Sequence, residues 1–507
     1  MNLSPNISET MIPGSYTAYN YYAGPNGLPA NIQKVLLIGD VSTAKASTTP
    51  VNKPTEIGTE TEAYDFAGAG SVLMQMYKAA KKAWKYAQIT MLRHGAVTGS
   101  AATWAFTFAG TATKSGKVSV FCNGIEYAVG VAYDSTTPDD YKAVAENLAD
   151  EINNTPDAPF TAVATQSSSV STGEVVLTAK CKGEHIANGT FTTGSGASER
   201  TFTIRGGLSV YVMSEADGIT VGGASYVASD GSVKASPGVG NVDLATALAA
   251  AFPARFHIIV SPVNDESNLG KLKTHLEAAA APLEQRGQRA ICAMVSATAT
   301  AAKAEALKHN YERLHIAAVK TKINATVWEI AAGLGAIFAS NSKPNVPMNS
   351  VAIPGLATPA LEDKWSGEEQ DLLLYGGVIP LVEEDSQLCI VRAVTTKSNN
   401  SGSRWTKLID TGVIASLDYF RDSILAMHRV KYKNKVIHAL LADALNEDNK
   451  KIAKDLEAEQ ILRYIDEYAD QFITQESPNE PGRMLCQIPA PVVPGLNQIY
   501  STIDLYL

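Results

Sequence analysis

Residues 35–40, with the sequence VLLIGD, decide the fold class of this chain. A run of apolar residues that ends in Gly-Asp is typical of a short strand buried on both faces of a sheet. Residues 71–86 then carry apolar side chains at helical spacing, and residues 87–93 (AQITMLR) form a second strand-like run. A strand, a helix and a strand in this order indicate a mostly parallel sheet covered by helices.

The same alternation resumes far downstream. It predicts helices at 243–251, 269–286, 301–314 and 323–340, and strands at 256–262, 290–296 and 315–320. Helix 269–286 has one apolar stripe and is expected to end at Gly287. That stripe consists of Leu269, Leu272, Leu276 and Leu283. We therefore assign residues 31–95 and 241–360 to one discontinuous α/β domain.

The segment between these two parts differs in amino-acid composition. Residues 96–240 are rich in Thr, Ser, Gly and Val, and residues 117–132 hold two alternating runs around Asn123-Gly124. Asn-Gly between such runs is a strong hairpin signal. A helix at 139–153 and strands at 160–166 and 173–180 would complete a β-β-α-β-β unit. We interpret this segment as an inserted β-rich outer domain, a position that α/β loops tolerate.

A third region follows as a C-terminal α+β inner domain over residues 361–487. Residues 371–380 and 387–396 form two apolar runs, and the acidic stretch Glu383-Glu384-Asp385 between them is interpreted as a solvated hairpin turn. Helices are predicted at 416–430 and 448–473. The fold class is thus α/β in an α+β multidomain chain, with a mixed-sheet core and an inserted β-rich outer domain.

Extended, strand-forming arms are predicted at both ends, the N-terminal arm at 1–30 and the C-terminal arm at 488–507. Residues 15–22 (SYTAYNYY) alternate, and residues 498–507 carry Ile499, Ile503, Leu505 and Leu507 on one side. The stretch 488–495 (IPAPVVPG) reads as a stiff linker. A strand with open edges pairs either with its own domain or with a neighbouring copy, and the composition does not decide between them.

Composition and motifs give little catalytic chemistry. The net charge is −9 and 45% of residues are hydrophobic, which disfavours a general nucleic-acid binder and excludes disorder of the whole chain. The five cysteines form no CxxC pair, which favours a reducing cytoplasm over a disulfide framework. No secretory signal, membrane span, phosphate-binding loop, nucleophile elbow or HExxH is found, so we expect no catalytic residue, cofactor or metal.

Charge is concentrated near the third region. A basic stretch lies beside the predicted helix 416–430, and the predicted helix 448–473 carries mixed charges. The basic stretch consists of Arg421, Arg429, Lys431, Lys433 and Lys435. Two solvated faces and complementary contacts between subunits both fit this pattern.

Several motifs, in order, resemble the contractile phage tail sheath proteins of the Mu-like type. They include residues 12–16 (IPGSY), 27–30 (GLPA) and 34–39 (KVLLIG) at the start, and 241–245 (NVDLA) and 353–355 (IPG) further on. The most specific match is 372–381 (LLLYGGVIPL) leading to 390–396 (IVRAVTT). The inserted segment matches less clearly. The turn 383–386 is more acidic than the family pattern, so no contact is carried over to it.

The resemblance implies a structural protein and not an enzyme. Its copies would stack as hexameric rings around a tail tube and contract to drive the tube through the host envelope. Implied partners are itself, the tail tube protein, and the baseplate and tail terminator proteins, with no direct nucleic acid and no stable membrane insertion. The implied location is the virion tail, after assembly in the host cytoplasm.

The family's strand exchange, carried onto this sequence, assigns three groups of residues. Strand donors would be Tyr16, Ala18, Tyr19, Tyr22, Ile499, Ile503, Leu505 and Leu507. The accepting sheet would contain Val378, Ile379, Leu381, Ile390, Val391, Ala393 and Val394. The basic stretch Arg421 to Lys435 would face the tube. Alternatives from other classes are an α/β enzyme with its site at the carboxyl ends of the strands, and a surface-binding protein that uses the 96–240 module.

Overall fold

The computed structural model describes residues 28–29, 31–167, 171–193, 200–438 and 440–505. The chain divides into two compact units. The large unit spans Asn31–Asp418 and Val493–Leu507, and the small unit spans Met1–Ala30 and Tyr419–Val492.

The described strands are β1 (Lys34–Gly39), β2 (Thr55–Ile57), β3 (Gln88–Arg93), β4 (Ala101–Gly110), β5 (Gly116–Cys122), β6 (Ile125–Val131), β7 (Phe160–Ser167), β8 (Thr172–Lys182), β9 (Gly189–Thr193), β10 (Arg200–Ile204), β11 (Val210–Ser214), β12 (Ile219–Gly222), β13 (Tyr226–Val227), β14 (Ser232–Val233), β15 (Ile258–Val260), β16 (Arg289–Ser296), β17 (Leu314–Lys320), β18 (Asn349–Ala352), β19 (Ile379–Glu384), β20 (Gln387–Arg392), β21 (Asn399–Asn400), β22 (Ser403–Arg404), β23 (Ile473–Glu476) and β24 (Met484–Gln487). The α-helices are α1 (Glu60–Ala67), α2 (Val72–Ala83), α3 (Tyr141–Asn154), α4 (Ala245–Ala251), α5 (Glu266–Ala280), α6 (Ala299–His309), α7 (Val327–Ser340), α8 (Gly367–Tyr375), α9 (Thr411–Lys431) and α10 (Leu441–Ala458).

A mixed nine-stranded sheet forms the centre of the large unit. Its strand order is β18-β20-β19-β17-β16-β15-β1-β3-β2. Strands β3, β1, β15, β16, β17 and β19 run parallel, whereas β2, β20 and β18 pair antiparallel with their neighbours. The mixed-sheet core expected from the sequence is therefore confirmed.

Both faces of this sheet are covered by helices, as the apolar run of β1 predicts. Val35 and Leu37 pack with residues of α1, α2 and α7 on one face. Leu36 and Ile38 pack with residues of α4, α5, α6 and α8 on the other. Gly335 in α7 lets its helix approach the sheet closely, because a Cβ there would lie 2.7 Å from Cγ2 of Val260. Consecutive residues of β1 thus serve two separate cores.

The inserted segment emerges between two neighbours of β1. Strands β3 and β15 both pair with β1, and the chain between them forms a four-stranded sheet (β12-β4-β8-β7) and a five-stranded sheet (β13-β14-β11-β5-β6). The predicted hairpin is confirmed: Asn123 and Gly124 connect β5 and β6 with φ of 46° and 82°, both in the left-handed region that a type I′ turn needs. The predicted β-β-α-β-β unit is split, because β5–β6 and β7–β8 lie in different sheets.

Two helix ends differ from the prediction. Helix α5 ends at Ala280, and Leu283, placed on its apolar stripe above, is 97% exposed. Pro282 explains the early end, since the residue before a proline avoids helical conformation and Ala281 has ψ of 153°. Residues 371–375, read as part of an apolar run before a hairpin, belong to α8, which begins with a capping box of Ser366 and Glu369.

The small unit has a core made by the later part of α9, α10 and the chain that follows. Phe420, Ala453, Leu456, Leu462 and Phe472 are among its buried residues. The remaining part of this unit, between α10 and β23, contains only a short 3₁₀ turn at Ala469–Gln471 among the described residues. A continuous helix over 448–473 is therefore wrong.

Candidate assembly surfaces

The C-terminal arm leaves the large unit as exposed chain without regular secondary structure. Residues 498–505 form no strand within the described part of the molecule. The predicted donors Ile499, Ile503 and Leu505 are 77%, 93% and 80% exposed. Leu507 lies outside the described residues. Alternating apolar side chains with this exposure are costly in water unless another surface covers them, so the arm has the properties of an unpaired donor strand.

The N-terminal donors Tyr16, Ala18, Tyr19 and Tyr22 lie outside the described residues, and their assignment stays a prediction. The description begins at Leu28 and Pro29, which belong to the small unit. Leu28 packs against the small-unit core, and the Tyr419 hydroxyl donates a 2.8 Å hydrogen bond to the carbonyl of Pro29. This contact fixes the point at which the preceding chain joins the small unit.

The accepting strands expected at 378–394 occupy the interior of the large sheet. Strand β19 lies between β17 and β20, and β20 lies between β19 and β18. Six of the seven predicted acceptor residues are buried, namely Val378, Ile379, Leu381, Ile390, Ala393 and Val394, and Val391 is half-buried. Because both strands already have hydrogen-bonded neighbours on each side, a donated strand would have to displace one of them. The assignment of these residues as acceptors therefore stays a prediction, and it would require that displacement.

The hairpin formed by β23 and β24 offers the edge that β19 and β20 lack. Its register runs from Ile473 opposite Gln487 to Glu476 opposite Met484, and neither strand pairs with a third among the described residues. Ile473 is 47% exposed and Leu485 42% exposed. The sequence pattern did not reveal this hairpin, because residue 473 falls within the predicted helix 448–473. The turn residues Pro478-Asn-Glu-Pro-Gly482 between two short segments were the available signal.

The five predicted basic residues fall into two classes. Arg421 is half-buried on α9 with its Nε 3.9 Å from Asp422, and Lys431 forms an ion pair of 2.5 Å with Asp448. Arg429, Lys433 and Lys435 are exposed and have no ion pair among the described residues. Burial would raise the pKa of Asp448, but hydrogen bonds from Lys431 and Tyr432 lower it below its ordinary value. Only the unpaired class is available to an acidic partner.

The carboxyl ends of the parallel strands, where an α/β enzyme would place its site, hold a cleft of about 850 Å³. Its charged side chains are largely paired with one another. Lys308 bonds both Glu266 and Glu305 at 2.8 Å, and Lys271 bonds Asp243 at 2.9 Å. Within the described ranges, no group of three or more His, Cys, Asp or Glu is arranged to hold a metal ion. The charged residues named here are therefore engaged in ion pairs within the cleft.

The acidic turn, the cysteines and the helices can each be compared with the sequence predictions. The acidic turn is a hairpin turn between β19 and β20, with Asp385 and Ser386 at φ of 50° and 63°, but Glu383 forms an ion pair with Lys364 instead of facing only solvent. Four of the five cysteines are buried and unpaired, and Cys486 on β24 is exposed. Among the described helices, none is both long enough and apolar enough to cross a membrane.

Parts of this chain are similar in sequence to known tail sheath proteins. Residues 237–396 match the family model described as the phage tail sheath protein central domain. The Mu-like prophage FluMu tail sheath protein of Haemophilus influenzae is 24% identical over 428 residues, covering 82% of this chain and 79% of that protein. The crystal structure of a sheath tail protein from Desulfitobacterium hafniense aligns over 93% of this chain and 98% of that chain at 12% identity and a TM-score of 0.48. One from Listeria innocua aligns over 88% of this chain and 89% of that chain at 12% identity and a TM-score of 0.47.

Proposed function

We propose that this chain is a contractile tail sheath protein and that it polymerises as stacked hexameric rings around a tail tube. The matched central domain and the prophage relative support this proposal. In this proposal the chain is a structural protein and not an enzyme, as are the sheath proteins that it resembles. In the proposed cycle the sheath assembles in an extended lattice and shortens when the baseplate triggers it. Shortening drives the tube through the host cell envelope. Baseplate and tail terminator proteins would cap the two ends of the sheath.

The observation that carries this proposal is the unpaired C-terminal arm. A segment with Ile499, Ile503 and Leu505 exposed contributes no packing to its own subunit. Insertion beside a neighbour's strand would satisfy its backbone groups and cover its apolar row at the same time. This favours donation to another copy over pairing within the same chain, the alternative that composition left open.

The acceptor that we infer is the β23–β24 hairpin of a neighbouring copy. A two-stranded hairpin is only marginally stable alone and gains hydrogen bonds from each added strand. Here α10 supports one strand, and the Thr474 hydroxyl donates a 3.1 Å hydrogen bond to Asn446 of that helix. The hairpin is thus held in place while its edges stay open. An N-terminal donor from a further copy would use the second edge.

Contraction requires a lattice with two arrangements of the same subunits. Strand pairs made through backbone hydrogen bonds are expected to persist, because breaking them exposes many polar groups at once. Contacts between the surfaces of folded units are weaker individually and can be exchanged as subunits rotate and move outward. The work of contraction would come from the free-energy difference between the extended and the contracted lattice.

The test is truncation of the arm after Asn497, which removes residues 498–507. We expect a monomer that unfolds at the same denaturant concentration as the full chain, because the removed residues are exposed, and that forms no striated tubes in electron micrographs. A matched pair of point variants sharpens the test. Ile503→Asp places a charge on the apolar row and should block assembly, whereas Thr502→Asp places it on the opposite side and should not. Normal tubes from the truncated chain would overturn strand donation.

A further inference from the structure

The C-terminal arm has a fixed root. Residues 493–497 belong to the large unit and run beside β18, the outermost strand of the nine-stranded sheet. The Nδ2 of Asn349, the first residue of β18, donates a 3.0 Å hydrogen bond to Oδ1 of Asn497 and a 3.3 Å bond to the carbonyl of Leu496. The chain is therefore attached to the sheet edge one residue before the exposed segment begins.

A second pair of side chains closes the same network. The Nδ2 of Asn497 donates a 3.3 Å hydrogen bond to Asp410 Oδ2. The other oxygen of Asp410 accepts from Nε and a terminal nitrogen of Arg392 at 3.0 and 2.7 Å. Arg392 lies directly opposite Asn349 in the β18–β20 register. We call Asn349, Arg392, Asp410 and Asn497 the arm clamp.

Close packing between Gly495 and Pro347 also holds the chain beside the arm clamp. A Cβ at Gly495 would lie 2.9 Å from Cβ of Pro347, so a larger residue there would push the chain away from the sheet edge. Asn497 is half-buried, and from Gln498 onward each described residue is exposed. Within the root itself, Val493, Gly495 and Asn497 are half-buried, whereas Pro494 and Leu496 are exposed. Gly495, the last residue of the Pro-rich stretch 488–495, therefore already lies against Pro347.

We propose that the arm clamp sets the point at which the donor strand leaves its subunit, and thereby limits which neighbouring copy the strand can reach. This inference rests on the proposed strand donation. From Asn497 to Leu505 the chain has eight residues, which span at most about 26–29 Å when extended. Release of residues 493–497 would add about 17 Å to the tether. A longer tether lowers the effective concentration of the strand at any one acceptor and admits others.

The clamp itself is tested on the unassembled chain by limited proteolysis with thermolysin, which cleaves before large apolar residues. Leu496 lies within the clamped root and Ile499 beyond it. We expect cleavage before Ile499 to be about tenfold faster than before Leu496, since opening the root breaks at least two hydrogen bonds. Asn497→Ala should bring the two rates close together, and Gln498→Ala should not. Equal rates in the unaltered chain would overturn the clamp.

The effect on assembly is measured on the same variants by electron microscopy. Asn497→Ala should still polymerise, because the donor side chains are intact, but its tubes should show several axial repeats where the unaltered chain shows one. Asn497→Asp should be affected more strongly, because its carboxylate would face Asp410. A single unchanged repeat in both variants would overturn the role in reach. If instead the chain truncated after Asn497 still forms tubes, strand donation fails while the proteolysis result stands.

Discussion

Two hairpins of the molecule, β19–β20 and β23–β24, have similar local geometry and opposite surroundings. The first is flanked by β17 and β18, and Ile379 and Ile390 are fully buried in it. The second has no third strand among the described residues, and most of its side chains are exposed. Alternating apolar residues therefore indicate a strand without indicating whether its edge is available. Availability depends on which elements pack alongside, and these lie far away in sequence.

The contrast separates residues that fold the subunit from residues that join subunits. A strand with hydrogen-bonded neighbours on both sides stabilises its own unit through burial of its side chains and through backbone hydrogen bonds that are already made. A strand with an unpaired edge adds little stability to its own unit, but each unpaired backbone group on that edge can bind a partner strand. Variants in the two hairpins should consequently affect different measurements, and the following predictions are ordered by their expected effect on monomer stability.

The largest effect is expected for Ile390→Ala in β20. Removal of a fully buried isoleucine side chain leaves a cavity and should lower the free energy of unfolding by about 2–5 kcal/mol. The matched variant Leu485→Ala in β24, where the side chain is 42% exposed, should cost less than about 1 kcal/mol. Urea unfolding followed by circular dichroism gives both values. Similar losses of unfolding free energy for the two variants would contradict the proposed difference between the β19–β20 and β23–β24 hairpins.

An intermediate effect is expected from acid, and it falls on the large unit. His315 is fully buried in β17, and desolvation lowers its pKa to about 3; desolvation likewise lowers the pKa of His257 to about 4. As the pH falls below about 6.5 the unfolded chain takes up protons that the folded chain refuses, so stability is complete above that pH and decreases toward the folded pKa. His315 alone should cost about 2 kcal/mol at pH 5.

Tryptophan fluorescence measures this effect selectively. The five tryptophans are at positions 84, 104, 328, 365 and 405, which all belong to the large unit. We expect the urea midpoint from fluorescence to fall between pH 7 and pH 5. His315→Leu removes one titrating group and should make that dependence shallower by about one proton. An unchanged pH dependence in this variant would show that His315 titrates equally in both states.

Local pattern was sufficient for much of the fold. The apolar run of β1 predicted a strand buried on both faces, because only a sheet covered on two sides offers such an environment. Asn123-Gly124 predicted its hairpin because the left-handed conformation that it adopts is intrinsic to those residue types. The one-sided apolar row of residues 498–507 was also readable from the sequence, whereas the exposure of that row was left open.

The acceptor hairpin could not be located in the same way. Helix α10 ends in a Schellman motif in which Gln460, with φ of 62°, occupies the position that glycine usually takes. Glutamine at position 460 gives no sequence signal for a helix end, and the sequence pattern therefore predicts a helix that continues through residue 473. The filling of β19 and β20 likewise depends on pairing with β17 and β18, which are brought there by the whole topology. Which strands lie beside a hairpin is decided by tertiary packing, and the local sequence pattern does not report it.

The smallest effect on stability, and a specific effect on assembly, is expected at the end of α9. Lys433→Glu with Lys435→Glu reverses two exposed charges that have no ion pair within the described ranges, so monomer stability should change by less than about 0.5 kcal/mol. If this surface meets an acidic tail tube, the double variant should still form empty sheaths but should not assemble on purified tubes. Lys53→Glu with Lys234→Glu, in the large unit, makes the same change in net charge and is the control. Because exposed charges are screened by salt, raised ionic strength should weaken tube binding of the unaltered chain in the same direction. Co-assembly of the double variant with tubes at the level of the control would exclude a tube contact at Lys433 and Lys435.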